Sequence, residues 1–191
     1  MPYNNSHIAL FHCEGVPESL LDDFCKDVKS NSLNLERISR PDPGIQAGIE
    51  WLVFPVIAVF VLKPYFEGFM NEAGKDHYRA LKQAFRSLWE KLFSKECNFR
   101  VVQLTASGER KSKYSMLFAV YAPVEHGHLL KLLVREDCSM EQFSESLELF
   151  FKVAHTYHAQ GSEVTHEIDS DSRSESSNIT LLEYDEESSS L

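Results

Sequence analysis

The sequence predicts an α+β fold. It reads as a small, mostly antiparallel sheet of about five strands covered by helices, with an inserted apolar helical hairpin and a disordered acidic C-terminal tail. Three observations predict this. Short segments such as His7–Cys13 and Tyr114–Ala122 are rich in apolar residues and bounded by turn signals, as strands are. Tyr78, Leu81, Phe85, Leu88 and Leu92 recur at spacings of three and four, as on one face of a helix. Charge is segregated: from residue 161 onward there are nine acidic residues and one arginine, against 20 acidic and 18 basic residues before it.

The chain has 191 residues, enough for one domain with a real core. The organisation expected is a single α+β domain over 1–160, with the hairpin inserted at 45–94, and a Ser/Asp/Glu-rich tail over 161–191. The near-neutral charge of 1–160 gives no footprint of a nucleic-acid protein. The chain opens with no basic stretch followed by an apolar run and a cleavage site, so no secretory signal is read. Cys13, Cys25, Cys97 and Cys138 are widely spaced, with no Cys-x-x-Cys pair. They read as reduced thiols of a cytoplasmic protein.

In chain order, residues 7–13 form the first expected strand. Gly15-Val16-Pro17 then turns into a helix, with Pro17 near its first position. Leu20, Leu21, Phe24, Cys25 and Val28 share one face of that helix, and 33–38 is a short strand that closes a βαβ unit. Pro41-Asp42-Pro43-Gly44 breaks the chain before the insertion. The insertion opens with the most apolar run of all, Trp51 to Leu62. It is too short for a membrane span of about 20 residues. Its valines suit a strand, but its length and the internal Pro55 favour a kinked, buried helix.

The helix that follows carries a basic stripe, Lys75, Arg79, Lys82 and Arg86, beside its apolar face, with Trp89 between the two. Strands are expected over 99–106, 114–122 and 128–135, with a polar turn at 107–113. The segment 114–122 is apolar on both sides, as a central strand is. In 128–135, Leu130, Leu132 and Val134 alternate with Lys131 and Arg135. Ser139 and Gln142 have capping-box spacing, and Phe143, Leu147, Phe150, Phe151, Ala154 and Tyr157 line one face of a last helix. The tail contains one apolar island, Ile179-Leu181-Leu182-Tyr184, in a composition that does not build a core.

No constellation carries a recognisable reaction. His126 and His128 have spacing a metal could use but no assured third ligand. Asp76 and His77 could act as orienter and base, yet helical neighbours point in different directions. Arg110, Lys111 and Lys113 could meet a phosphate on a hairpin tip without a glycine-rich cradle. Cys138 at a helix start follows two carboxylates that oppose ionisation. No cofactor or metal is expected. The function expected is that of a non-catalytic cytoplasmic interaction or accessory protein that docks through 47–93, with Lys75, Arg79, Lys82, Arg86 and Trp89 as the surface. Its partner is a protein or an anionic membrane surface. The alternatives are a membrane-associated protein anchored through 47–66, peripheral to the inner face of a membrane, and an enzyme of unknown type. The expectation for the acidic tail is a solvated segment that touches nothing; the alternative is a weak, fluctuating contact of 163–187 with Lys75, Arg79, Lys82 and Arg86.

Overall fold

Alternation along the strands decides the architecture. In the computed structural model, Ile8 and Leu10, Ile57, Val59 and Val61, Phe118 and Val120, Leu130 and Leu132, and Leu182 all enter one core cluster. They occupy alternate positions of five strands, so they share one face of the sheet. The structure describes residues 6–41, 55–68, 72–94, 97–99, 101, 103–105, 108–110, 113–124, 127–160, 179–185 and 191.

The elements are β1 (Ile8–Cys13), α1 (Glu18–Ser30), β2 (Leu35–Arg40), β3 (Ile57–Val61), α2 (Lys63–Gly68) and α3 (Glu72–Phe93). They continue as β4 (Gln103–Thr105), β5 (Gly108–Arg110), β6 (Phe118–Pro123), β7 (Leu129–Leu133), α4 (Met140–Gln160) and β8 (Ile179–Glu183). Six strands form a mixed sheet in the order β2-β1-β3-β6-β7-β8. β1 pairs with β2, β3 with β6 and β7 with β8 in parallel, while β1–β3 and β6–β7 are antiparallel. The fold is α+β as expected, but the sheet is larger than expected and three of its five pairings are parallel. β4 and β5 form a separate two-stranded ribbon, so the expected polar turn at 107–113 contributes a strand of its own.

The apolar run is where expectation and structure part. Its second half is not a kinked helix: Ile57–Val61 is an interior strand between β1 and β6. Ile57, Ala58, Val59 and Val61 are fully buried. The β-branched residues at 56, 57, 59 and 61 favour the pleat. Pro55 does not kink the element because it precedes it. Lacking an N–H, it loses no ladder bond there, and its carbonyl accepts from the Arg40 guanidinium. Pro64 then sits in the first turn of α2, where its missing N–H has no helical partner to lose. The segment 45–94 is therefore not a helical hairpin among its described residues. It is a strand and two helices that lead from β3 to its parallel neighbour β6. Residues 42–54 lie outside the described residues.

α1, α3 and α4 all pack on one face. Phe85 of α3 meets Phe24 of α1 at 5.4 Å, Phe118 of β6 at 6.3 Å and Phe151 of α4 at 6.0 Å between ring centroids. The capping box at the start of α4 forms in both directions. The Ser139 N–H donates to Gln142 Oε1 at 2.6 Å, and the Gln142 N–H donates to Ser139 Oγ at 3.2 Å.

The expected tail also needs correcting. Ile179–Glu183 is an ordered edge strand, β8, paired along five residues with β7. Thr180 and Leu182 turn inward and are buried, so the apolar island extends the core it was not expected to join. The rest of the tail up to 178, and 186–190, lie outside the described residues.

With every crossover helix on one face, the three parallel connections do not share a hand. β2 lies beside β1, and β6 beside the oppositely directed β3, so that these two crossovers have the same hand. β8 lies on the other side of β7, so the connection through α4 has the opposite hand. Parallel connections are right-handed almost without exception.

Phe118 and Phe150 carry no solvent exposure. Replacing either with alanine should cost about 3–5 kcal/mol, read by urea denaturation at unchanged slope. A loss below about 1 kcal/mol for both would mean that the core lies elsewhere.

Candidate interaction surface

α3 is held from below and from both sides. Leu81, Ala84, Phe85, Leu88 and Leu92 are buried in the core. On the α1 side, Lys91 Nζ forms an ion pair with Asp23 and donates to the Ser19 carbonyl at 3.5 Å. That pairing, the Lys91 hydrogen bond above all, holds the Asp23 carboxyl below the usual carboxylate range. On the α4 side, Lys82 Nζ donates to Glu148 Oε2 at 2.7 Å. Glu148 also meets Lys152 at 3.2 Å, and its carboxyl is held low by Lys82 first and Lys152 second.

These clamps redistribute the basic stripe. Lys82 is only 27% exposed at its side chain and serves the α3–α4 seam. Arg79 faces outward and lies 3.5 Å from Asp76, one turn earlier. Arg86 is half-buried near Glu141. The Glu141 carboxyl is held low by its own backbone N–H, then by Ser139, with Arg86 adding to them. The backbone of Lys75 is in the first turn of α3, and its side chain lies outside the described residues. Trp89 is half-buried: it stacks on Phe93 at 5.2 Å and on Phe143 of α4 at 6.1 Å. Its indole N–H faces the Cys138 thiol, whose pKa burial pushes up. The outward crest of α3 is thus Asp76, Arg79, Gln83, Arg86 and Glu90, a surface of mixed sign.

The other candidates are not brought together. Asp76 pairs with Arg79, whereas His77 lies toward His7. The pKa of His7 is lowered by burial first and by His77 second. His128 Nε2 and Thr180 Oγ1 share a hydrogen bond at 2.6 Å, and His126 lies outside the described residues. Among the described residues no group of three His, Cys, Asp or Glu side chains could hold a metal. Lys111 and the Arg110 side chain also lie outside them. Lys113 forms an ion pair with Glu183. Glu183 is thereby bound at the β8 end of the sheet rather than on the α3 stripe. Tyr184 likewise donates to Glu145 Oε2 of α4 at 2.6 Å. Among the described residues no helix is long and apolar enough to cross a membrane.

The sheet's second face holds a group the sequence pattern hides. Phe60 stacks on Tyr121 at 4.7 Å, and Phe11 meets Phe60 edge-on at 5.2 Å. In register with Tyr121 is Lys131, whose Nζ stands 5.6 Å from the Tyr121 ring centre. Lys131, which alternation sets on the side of β7 opposite Leu130 and Leu132, is only 5% exposed. The signal was present: Leu129 and Leu133 share its side of β7, so both sides of the strand are apolar. Burial pulls the Lys131 ammonium down to about 8 and pushes the neighbouring Tyr121 phenol up.

Comparison of the chain with protein-family models, with curated proteins and with solved structures finds no match.

The lowered value at Lys131 has a definite sign. An unfolded lysine titrates near 10.4, so between about 8 and 10.4 the unfolded chain binds more protons, and stability rises with pH. Half-buried Tyr78, pushed up to about 12 by burial first and Glu148 second, acts oppositely, but only above the ordinary tyrosine range near 10. Between pH 7.5 and 9.5 the wild-type chain should gain about 1–2 kcal/mol relative to Lys131→Met, measured by denaturant unfolding. Parallel pH curves for the two proteins would contradict this burial.

Proposed function

We propose that this chain is a non-catalytic interaction protein whose docking surface is the outward crest of α3, centred on Arg79 and Arg86 and bordered by Trp89. One observation supports the reading above others: the helix is clamped on two sides by Lys82–Glu148 and Lys91–Asp23, and its outward arginines each stand near a carboxylate. A long helix fixed in this way presents its crest with little ordering left to lose on binding. Its mixed charge suits a protein partner with a complementary pattern, which confers specificity and register. An anionic lipid layer would instead meet Asp76 and Glu90 among the arginines. The partner in this reading is a protein, and the setting is the cytoplasm.

No observation favours anchoring through 47–66. Within it, Ile57–Val61 is an interior strand, and removing it to a bilayer would empty the middle of the sheet. Nor does the geometry favour an enzyme site near Asp76 and His77, because their partners lie in different directions.

The test is affinity capture by the full-length chain, wild type against the double reversal Arg79→Glu, Arg86→Glu. Both residues lie outside the core, so the thermal midpoint should move by no more than a few degrees. Partners that use this crest should bind at least tenfold more weakly to the variant. An unchanged set of partners at unchanged affinity would contradict the proposal. Salt-sensitive sedimentation with phosphatidylserine vesicles, lost in the variant, would support the membrane reading instead.

A further inference from the structure

We propose that the outer edge of β7 is an exchangeable site for an extended segment, and that residues 179–183 of a second copy of this chain can occupy it in place of the chain's own β8. This surface is separate from the crest of α3 and does not depend on the reading given above.

β8 has the properties of a seated ligand more than of an integral strand. It lies at the end of the strand order and pairs with β7 alone. Its ladder is complete over five residues, from Leu129↔Ile179 to Leu133↔Glu183. Only Thr180 and Leu182 are buried, while Ile179, Leu181 and Glu183 are half-exposed. Main-chain pairing with alternate side chains in pockets is how a sheet edge binds an added peptide strand.

The recognition elements are specific. Leu182 enters the core cluster beneath α4. The buried Thr180 hydroxyl is satisfied by His128 of the domain. Glu183 meets Lys113 and the Tyr114 hydroxyl. Burial pushes its carboxyl up, and the hydrogen bonds of Lys113 and Tyr114 outweigh that, so it stays below the ordinary glutamate range. Tyr184 reaches Glu145. Together they define a segment with a small hydroxyl residue and leucine two apart, followed by an acidic and then an aromatic residue.

The connection permits exchange. Eighteen residues separate Gln160, the end of α4, from Ile179. At up to about 3.3–3.6 Å per residue, that length of chain spans at most about 60 Å, enough to reach the β7 edge of a neighbouring copy. The connection also has the hand opposite to the other two crossovers. Reciprocal exchange between two copies would reproduce every β7–β8 contact with two-fold symmetry, which makes swapping an inexpensive route to a dimer. At low concentration the tethered segment wins, because its effective concentration is of millimolar order. Exchange therefore gains weight where copies are crowded together.

Two full-length single variants test this, Leu129→Cys and Ile179→Cys, at positions that face each other in the ladder. The double variant in one chain should cross-link within itself on oxidation. Mixed at a few hundred micromolar, the single variants should give a heterodimer whose 129–179 link is identified by mass spectrometry. Each single variant alone reports the background from Cys97 and Cys138. Adding Leu182→Asp to the chain that carries Leu129→Cys should unseat its own β8 and raise heterodimer yield about tenfold. Thr180→Ala, a milder change, should raise it less. No 129–179 heterodimer over several days, with the double variant cross-linking normally, would overturn the proposal. Failure of the double variant to cross-link would overturn it too, because the register on which it rests would be wrong.

Discussion

Phe85 is the point on which the layers depend. It belongs to α3 and touches a phenylalanine from α1, one from α4 and one from β6. With no solvent exposure, it must be matched by all three neighbours at once. That requirement places α1 and α4 on either side of α3. It also obliges β6, and through it β3 and β7, to turn the alternate set of side chains toward the helices. Close packing leaves little latitude in such a cluster, since interiors are as dense as organic crystals.

The same constraint explains what the polar side chains of α3 do. With the helix seated on Phe85, Lys82 and Lys91 fall at its two seams and find Glu148 and Asp23. Exposed pairs of this kind contribute little on their own, about 0–1 kcal/mol. Their effect here is positional. They take two cations away from the outward surface and leave a crest of mixed sign. Of the stripe read along the sequence, Lys82 is thereby turned to the α4 seam, and the described crest carries both signs.

Much of the fold was legible because local signals agreed with tertiary demands. The β1–α1–β2 unit, the Ser139–Gln142 box and the apolar faces of α3 and α4 lie close to where periodicity and capping put them. The failures have separate causes. A short apolar run does not distinguish strand from helix by periodicity, and Pro55, read as a kink, stands just outside β3. β8 was hidden because five residues with strand character are embedded in an acidic tail, and their partner edge is some 50 residues away along the chain. The burial of Lys131 was not legible because a charge that alternates with leucines is the usual mark of a solvated face, whereas β7 is flanked by β6 and β8. At the candidate surface, the residue types were legible but their partners were not. Glu148 and Asp23 approach α3 only through tertiary packing.

Residues 57–61 are an interior strand between β1 and β6, rather than part of a peripheral helical element. Amide hydrogen exchange measured residue by residue on the full-length chain tests this most directly. Interior strands open only with the whole domain, whereas peripheral elements open locally at lower free energy. The amides of Val59 and Val61 should exchange as slowly as those of Leu10 and Val120. Exchange at 57–61 that is orders of magnitude faster, with β1 and β6 still protected, would contradict an interior position for β3.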